Sequence, residues 1–315
     1  MNSILFLPCN NGLGHIRRLS ILANKMNFKK NKIFFCLDIK KKNRFKFKKN
    51  VKKILFSNTQ KKDANILNKN INYNNFTKII SDNIINKKFI FDKNKNILFA
   101  NFFWEEIYNK ELKNIKELKK KRIIVFSNYL FSNIKAKIRI IKIGFFEKFK
   151  PNKKNDCILI AVGSAKSRLL SQFKIKIIKF IKDKSFKKKK IYLDPKLYDS
   201  SLKKFNVYKA DFSEKMYSKI SFAIIKPGLG TIEECLKRAI VMLPIMEKEN
   251  KEFEYNTHVL TKKKLGFKFA KLDQIFKFIN LKFYDSKFKN TFKNRCKKLK
   301  WNGEEKIKKI LGKNY

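Results

Sequence analysis

At 315 residues with 43% hydrophobic content, the chain is long enough for two domains of ordinary size and falls outside the disordered class. Its formal charge of +53 points toward nucleic acid or an anionic membrane surface. Only eight of the 78 basic residues are Arg, however, the residue suited to bidentate phosphate and base contacts, and Lys runs with Asn, Ile and Phe along the whole chain, as AT-rich coding produces.

In chain order, short β-branched or aromatic runs alternate with longer amphipathic stretches, the pattern of βα units and a parallel sheet. The first half predicts strands over Ser3–Leu7, Lys32–Leu37, Lys52–Phe56, Lys78–Ser81, Ile97–Ala100, Arg122–Phe126 and Arg139–Ile143, with the helix ELKNIKELKKK between two of them. The stretch GFFEKFKPNKKND, Gly144 to Asp156, is basic, holds a Pro and has no periodic apolar face, so it is expected to link two domains. CILIAVGS, KIYLD, FAIIKPG and IVMLPI come next as strands, then a basic helical tail. The expected division is 1–145, 156–284 and a tail over 285–315. Cys9, Cys36, Cys157, Cys235 and Cys296 form no C-x-x-C pair, as expected of thiols packed as small apolar groups in a reducing cytoplasm. The opening run Ile4–Leu7 is too short for a signal-peptide core, and no segment approaches the length of an apolar membrane span.

One construction recurs. LFLPCNNGLGH, ILIAVGSAKS and FAIIKPGLGT are each a strand, a glycine-bearing turn and a helix start. In open α/β sheets such turns lie at the carboxyl ends of the strands, where ligands bind; two domains turning these edges toward each other would enclose a cleft. After Gly12 and Gly14, the third glycine of a dinucleotide fingerprint falls on Arg17, which disfavours that cofactor. His15, in the first turn of its helix, is either a base for a hydroxyl proton or a cap of its own helix. In KPGLGTIEECL, Gly228 and Gly230 free the backbone, and Thr231 is expected to start a helix whose unpaired N–H groups form an anion site. Glu234 then either accepts from a ribose or closes a capping box with Thr231. Glu252, Glu254 and Asn256 lead into a further helix, as sugar-hydroxyl partners or as a solvated helix start, and His258 beside Leu260 is expected in the core. Asp82 ends a strand, where its carboxylate either reaches the ligand edge or serves a turn. Trp104, followed by Glu105 and Glu106, opens a helix as a core anchor or as the lining of an acceptor groove.

Together these residues resemble GT-B glycosyltransferases, especially relatives of the peptidoglycan lipid-linked N-acetylglucosaminyltransferase. NGLGHIRRLSILA resembles the family's glycine-histidine loop, AVGS its middle glycine-serine turn, and KPGLGTIEECL with EFEYNT its donor-binding region. The resemblance implies an α/β chain of two Rossmann-like domains with parallel sheets facing a cleft. It puts the acceptor on the first domain and the nucleotide sugar on the second, with the C-terminal helix packed back across the cleft. It makes His15 the base and Asp82 its orienting partner. Asn11, Gly12, Gly14 and Trp104 fall on the acceptor side, and Ser164, Gly228, Gly230 and Thr231 at the diphosphate. Glu234 falls at the ribose, and Glu252 and Asn256 beside the donor sugar. Phe253 departs from the pattern, standing where many relatives carry a Gln. IGFFEKF lacks the Pro and Arg that follow the corresponding glycine in the peptidoglycan enzyme, which speaks against that specific activity.

The resemblance thus implies a glycosyltransferase independent of metal and cofactor, taking a nucleotide sugar, with uridine as the expected base, to a sugar or lipid-linked acceptor. No D-x-D motif is present. It implies a cytoplasmic place, with the lysine surface available to the inner face of an anionic membrane. GLGHIRR is equally similar to the UDP-sugar hydrolase of pseudaminic acid synthesis, which passes the sugar to water. A basic nucleic-acid-binding protein is the rival of another class; it accounts for the charge but not for glycine turns, His15 and Glu234 occurring together.

Overall fold

The computed structural model describes residues 2–9, 13–26, 30–56, 71–82, 95–99, 124–132, 139–152, 156–162, 167–182, 189–245 and 250–313. Two compact units are present: Met1–Phe146 with Asn302–Tyr315, and Glu147–Trp301.

In the first unit β1 (Asn2–Pro8), α1 (Leu13–Lys25), β2 (Asn31–Asp38), β3 (Val51–Phe56), β4 (Lys78–Asp82), β5 (Lys95–Phe99), β6 (Ile124–Asn128) and β7 (Arg139–Ile143) succeed one another in order. The strands form one parallel sheet, β3-β2-β1-β4-β5-β6-β7. Every strand expected in this half is present, whereas the helix expected over 111–121 lies outside the described residues. β1 and β4 are buried over most or all of their length because both faces of a parallel sheet are covered. Edge strand β3 instead exposes Lys52 and Lys53, charges that discourage pairing with another chain.

The second unit contains β8 (Cys157–Ala161), α2 (Ser167–Lys182), β9 (Lys190–Leu193), β10 (Val207–Lys209), α3 (Glu214–Tyr217), β11 (Ile220–Ile225), α4 (Leu229–Lys237), β12 (Val241–Pro244), α5 (Lys251–Lys262), α6 (Leu272–Lys282) and α7 (Ser286–Lys297). Its sheet is parallel in the order β10-β9-β8-β11-β12. β8 and β11 are buried at every residue. The three-residue β10 was not expected, being too short to carry a periodic signal.

The segment 285–315 divides. α7 belongs to the second unit, while α8 (Gly303–Lys313) belongs to the first. Ile307 of α8 is fully buried in one cluster with Ile16, Leu19 and Leu22 of α1 and with Phe35 and Phe126, a burial worth about 1.5–3 kcal/mol per side chain. Only glycine fits at the start of α8, because a Cβ on Gly303 would collide with the carbonyl oxygens of Gly144 and Phe145. The Gly303 N–H instead donates to the Phe145 carbonyl at 2.9 Å. Lys25 of α1 pairs with Glu304.

The expected linker is only partly one. Phe145 and Phe146 are core residues of the first unit, 1% and 4% exposed, since two adjacent aromatics bury more area than the surrounding charges can keep in water. The residues after them are fastened to the second unit. The Lys150 and Asn152 amides donate to the Lys237 and Arg238 carbonyls, and Asn152 Nδ2 donates to the carbonyls of Tyr217 and Ile220.

In each sheet the strand order reverses beside the first strand of the unit, at β1/β4 and at β8/β11. Register pairs Pro8 with Asp82 and Ala161 with Ile225, so the turns leaving both strands of each pair begin side by side. Crevices outside such reversal points are where open α/β sheets bind ligands.

Candidate active site

At the β1/β4 reversal, α1 carries His15 in its first turn, and Asp82 closes β4 fully buried. The Cys9 amide donates to the Asp82 carbonyl at 3.0 Å, which ties the end of β1 to that of β4. Ile16, Leu19, Leu22 and Ala23 bury one side of α1 in the core and so fix its rotation. His15 Nδ1 then lies 3.0 Å from Asp82 Oδ1, with the imidazole 17% exposed. The two residues that the sequence pairs as base and orienting partner are thus in direct contact. With the proton on Nδ1 donated to Asp82, Nε2 carries the lone pair a base needs.

A third residue joins them. Arg18, one helical turn beyond His15 and 5% exposed, donates from Nε to Asp82 Oδ2 at 3.1 Å and from Nη2 to Oδ1 at 3.2 Å. Burial alone pushes the Asp82 carboxyl up, but the Arg18 guanidinium and then His15 outweigh it and hold the group below the usual carboxylate range. The signal for Arg18 was present in the sequence as an i, i+3 neighbour of His15, but GLGHIRR does not say which arginine turns inward. Gly14 is half-buried beside His15. Asn11, Gly12 and Trp104, with Glu105 and Glu106, lie outside the described residues.

At the β8/β11 reversal the turn Lys226–Pro227–Gly228 leads into α4. The Lys226 amide donates to the Ala161 carbonyl at 3.1 Å, and the Gly228 amide to the Lys226 carbonyl at 2.8 Å. α4 begins two residues before the expected Thr231: Gly228 is its N-cap, in extended backbone and without a side-chain cap. The first turn closes with the Ile232 amide on the Gly228 carbonyl at 3.0 Å, so the N–H groups of Leu229, Gly230 and Thr231 project from the helix end, as an anion site requires. Among the described residues other than its chain neighbours, nothing lies within 4 Å of where a Gly228 Cβ would stand, and its φ of −75° suits any residue. Ser164 lies outside the described residues.

The capping box between Thr231 and Glu234 does not form, because Thr231 sits inside the helix. Glu234, 4% exposed, takes Arg238 Nε at 2.8 Å and Lys237 Nζ at 3.3 Å. Lys237 also reaches Glu147, and both cations reach Glu214. This network joins the far end of α4 to the segment after Phe146.

Glu252, Glu254 and Asn256 stand within α5 rather than before it, since Asn250 caps that helix by accepting from the Phe253 amide. Glu252 is half-buried and Glu254 exposed. Asn256 is fully buried and donates from Nδ2 to the Pro227 carbonyl at 2.9 Å, while its Oδ1 has no hydrogen-bond partner among the described residues. Its amide therefore holds the glycine turn rather than facing outward. His258 is exposed, not in the core, because α5 turns Asn256, Thr257, Val259 and Leu260 inward. Phe253, the departure from the resemblance, lies under Lys226, whose Nζ is 4.6 Å from the ring centroid. Lys226 could not be singled out from the sequence; a lysine among 78 basic residues carries no signal until the fold pins it to an aromatic face.

No disulfide joins the five cysteines, and four of them are buried. Among the described residues no group of His, Cys, Asp and Glu is placed to hold a metal ion, and no helix is long and apolar enough to cross a membrane.

No family model and no curated protein sequence matches the chain. Solved structures do. The calicheamicin glycosyltransferase CalG4 aligns at 10% identity over 99% of this chain and 98% of its own, with a TM-score of 0.62. MurG of Acinetobacter baumannii aligns at 10% identity over 99% and 100%, also at 0.62. UGT89C1 of Arabidopsis thaliana, in complex with UDP-L-rhamnose, aligns at 11% identity over 94% and 93%, at 0.60. With its paired Rossmann-like units and parallel sheets, the chain has the GT-B fold of these glycosyltransferases.

Proposed function

We propose that the chain transfers a glycosyl group from a nucleotide sugar to an acceptor hydroxyl. The observation that carries this reading is the contact between His15 and Asp82 at the sheet reversal of the first unit. A neutral imidazole oriented there by a buried carboxylate takes the hydroxyl proton as the new bond forms, work worth about 10²–10⁴ in rate. On the second unit the N–H groups of Leu229, Gly230 and Thr231, together with Lys226, take up negative charge that develops on the leaving diphosphate. Asn256 and the Lys226–Phe253 contact hold that turn in place, and Glu234 bears on the donor only through the helix it anchors.

The solved complexes of the fold neighbour UGT89C1 with UDP-L-rhamnose and with quercetin favour a uridine nucleotide sugar as donor and a hydroxyl as acceptor. The helix end and Lys226 supply the positive charge that a metal would otherwise bring, so turnover is expected to persist in EDTA. Uridine diphosphate release from a panel of nucleotide sugars, with and without hydroxyl acceptors, tests the reading. The expected result is slow donor consumption alone and a large acceleration with acceptor. Release of free sugar at full speed without acceptor would make the chain a hydrolase, with water as the substrate of His15. Sedimentation with anionic against neutral vesicles decides whether the lysine surplus draws the chain to a membrane; equal binding leaves it as solvated surface.

A further inference from the structure

His15 meets Asp82 and Arg18 with the same ring nitrogen. Nδ1 is 3.0 Å from Asp82 Oδ1 and 3.0 Å from Arg18 Nη2. A guanidinium only donates, so these two contacts exclude each other as hydrogen bonds. With the proton on Nδ1 the ring donates to Asp82 and leaves Nε2 as the base. With the proton on Nε2, Nδ1 accepts from Arg18 and turns its lone pair on the Asp82 oxygen. Arg18 meanwhile spans both Asp82 oxygens from a buried position, so a permanent cation offsets the carboxylate before His15 gains any charge.

Among the described residues, two further charged groups on β2 and α1 have partners of their own. Asp38, at the end of β2, accepts from the Lys40 amide, and Lys25, in the last turn of α1, pairs with Glu304 of α8. Arg17, next along α1, is half-buried. Cys9, just past β1, is tied through its amide to the Asp82 carbonyl.

We propose that Arg18 is a positioning residue for His15: by sharing Asp82 with the imidazole, it lets the carboxylate fix the ring and its Nδ1–H form while withholding the full negative charge that would trap the ring as imidazolium. The proposal rests on His15 acting as base and names the group that keeps that base in working form. The balance is one of net charge. Protonating His15 takes the trio from zero to +1, whereas without Arg18 the same step takes the His15–Asp82 pair from −1 to zero and is much easier.

The test uses the full chain, and its first readout needs no substrate. The chain has two histidines, one of them the exposed His258, so nitrogen-15 NMR of labelled histidine resolves the His15 ring by itself. The neutral wild-type ring is expected to carry its proton on Nδ1. In Arg18→Met the midpoint at which the ring takes a second proton should rise by about one to three pH units, the effect of an unshielded opposite charge at contact. The acid limb of kcat/KM should rise with it, so that turnover lost at neutral pH returns at higher pH. Arg18→Lys, which keeps the charge, should stay near the wild-type midpoint.

Arg18→Met leaves a buried carboxylate without its main partner, and this variant can fail to fold. Arg18→Met/Asp82→Asn removes both charges and should titrate near wild type. A wild-type proton on Nε2, an unmoved midpoint in Arg18→Met, a loss of turnover equal at every pH, or a double variant whose midpoint falls would each overturn the proposal. If the expected ring behaviour is found in a chain that turns over no nucleotide sugar with any acceptor, the transfer reading fails while the role of Arg18 stands.

Discussion

The two sheet reversals are the same construction put to opposite uses. At each, two neighbouring parallel strands end side by side and a helix starts from one of them: α1 from β1, the first strand of its unit, and α4 from β11, the strand across the reversal. At β1/β4 the helix start is occupied by side chains: a half-buried imidazole, a buried carboxylate and a buried guanidinium in mutual contact. At β8/β11 the helix start is bare backbone, and its ionic network sits at the other end of α4, around Glu234, Lys237 and Arg238. Under the proposed function the first end moves a proton, because its imidazole can change charge beside a fixed carboxylate and a fixed guanidinium. The second presents helix N–H groups and a lysine, which suit the holding of an anion. Topology set two strand ends of the kind at which open α/β sheets bind ligands, and under the proposed function residue choice makes one a proton site and the other an anion site.

The largest effect should come from the proton site. His15→Ala is expected to lower turnover by about 10²–10⁴ with the melting temperature and donor affinity nearly unchanged; near-normal turnover would remove the distinction between the two reversals. Next is the ionic network at the far end of α4. Glu234→Ala leaves Lys237 and Arg238, 3% and 4% exposed on their side chains, short of a counter-charge, and should cost about 3–5 kcal/mol in urea unfolding. Nucleotide affinity of the folded protein should hold. A folded Glu234→Gln chain that binds nucleotide poorly would instead give this carboxylate a ribose to hold.

Acid unfolding distinguishes the buried carboxylate of the first reversal. Asp82 is held below its ordinary range, so the stability it contributes is complete above the unfolded value of about 4 and is lost as the pH falls through the depressed folded value. Each pKa unit of depression is worth about 1.4 kcal/mol. Asp82→Asn should therefore be clearly less stable than wild type at neutral pH, and the gap should narrow steadily as the pH drops below about 4. A gap constant with pH would mean that the carboxylate charge contributes nothing to the fold.

Gly228→Ala tests the bare helix start. The backbone there suits alanine and no described residue crowds a Cβ, so the variant should fold at a cost of no more than about 1 kcal/mol, since alanine is a poorer N-cap than glycine. A methyl group over the helix end should still weaken nucleotide binding, by up to the roughly 2 kcal/mol a partly buried helix terminus gives an anion. Unchanged affinity in isothermal titration would place the donor elsewhere. The smallest effect concerns thiols. Burial pushes Cys36, Cys157 and Cys296 up to about 12 and raises Cys235, near the far end of α4, as well. The half-buried Cys9 at the first reversal should thus be alkylated first at neutral pH, because the thiolate is the reactive form. Mass spectrometry reading Cys235 ahead of Cys9 would contradict the burial that separates them.

What the sequence by itself determined is the part written in local pattern. Apolar runs such as CILIA and FAII declare buried parallel strands because both faces of such a strand must be apolar, and glycine turns after them declare where the chain opens toward ligand. His15 and Asp82 were legible as a pair through resemblance. Tertiary structure alone decided the rest, because each remaining outcome depends on residues far apart in the chain meeting in space. Arg18 rather than Arg17 turns to Asp82 because α1 is rotated by burying Ile16 and Leu19. Asn256 spends its amide on Pro227, and Glu234 its carboxylate on Lys237 and Arg238, instead of the contacts their motifs suggest. The tail splits because Ile307, unlike anything in α7, finds its apolar partners in the core of the first unit.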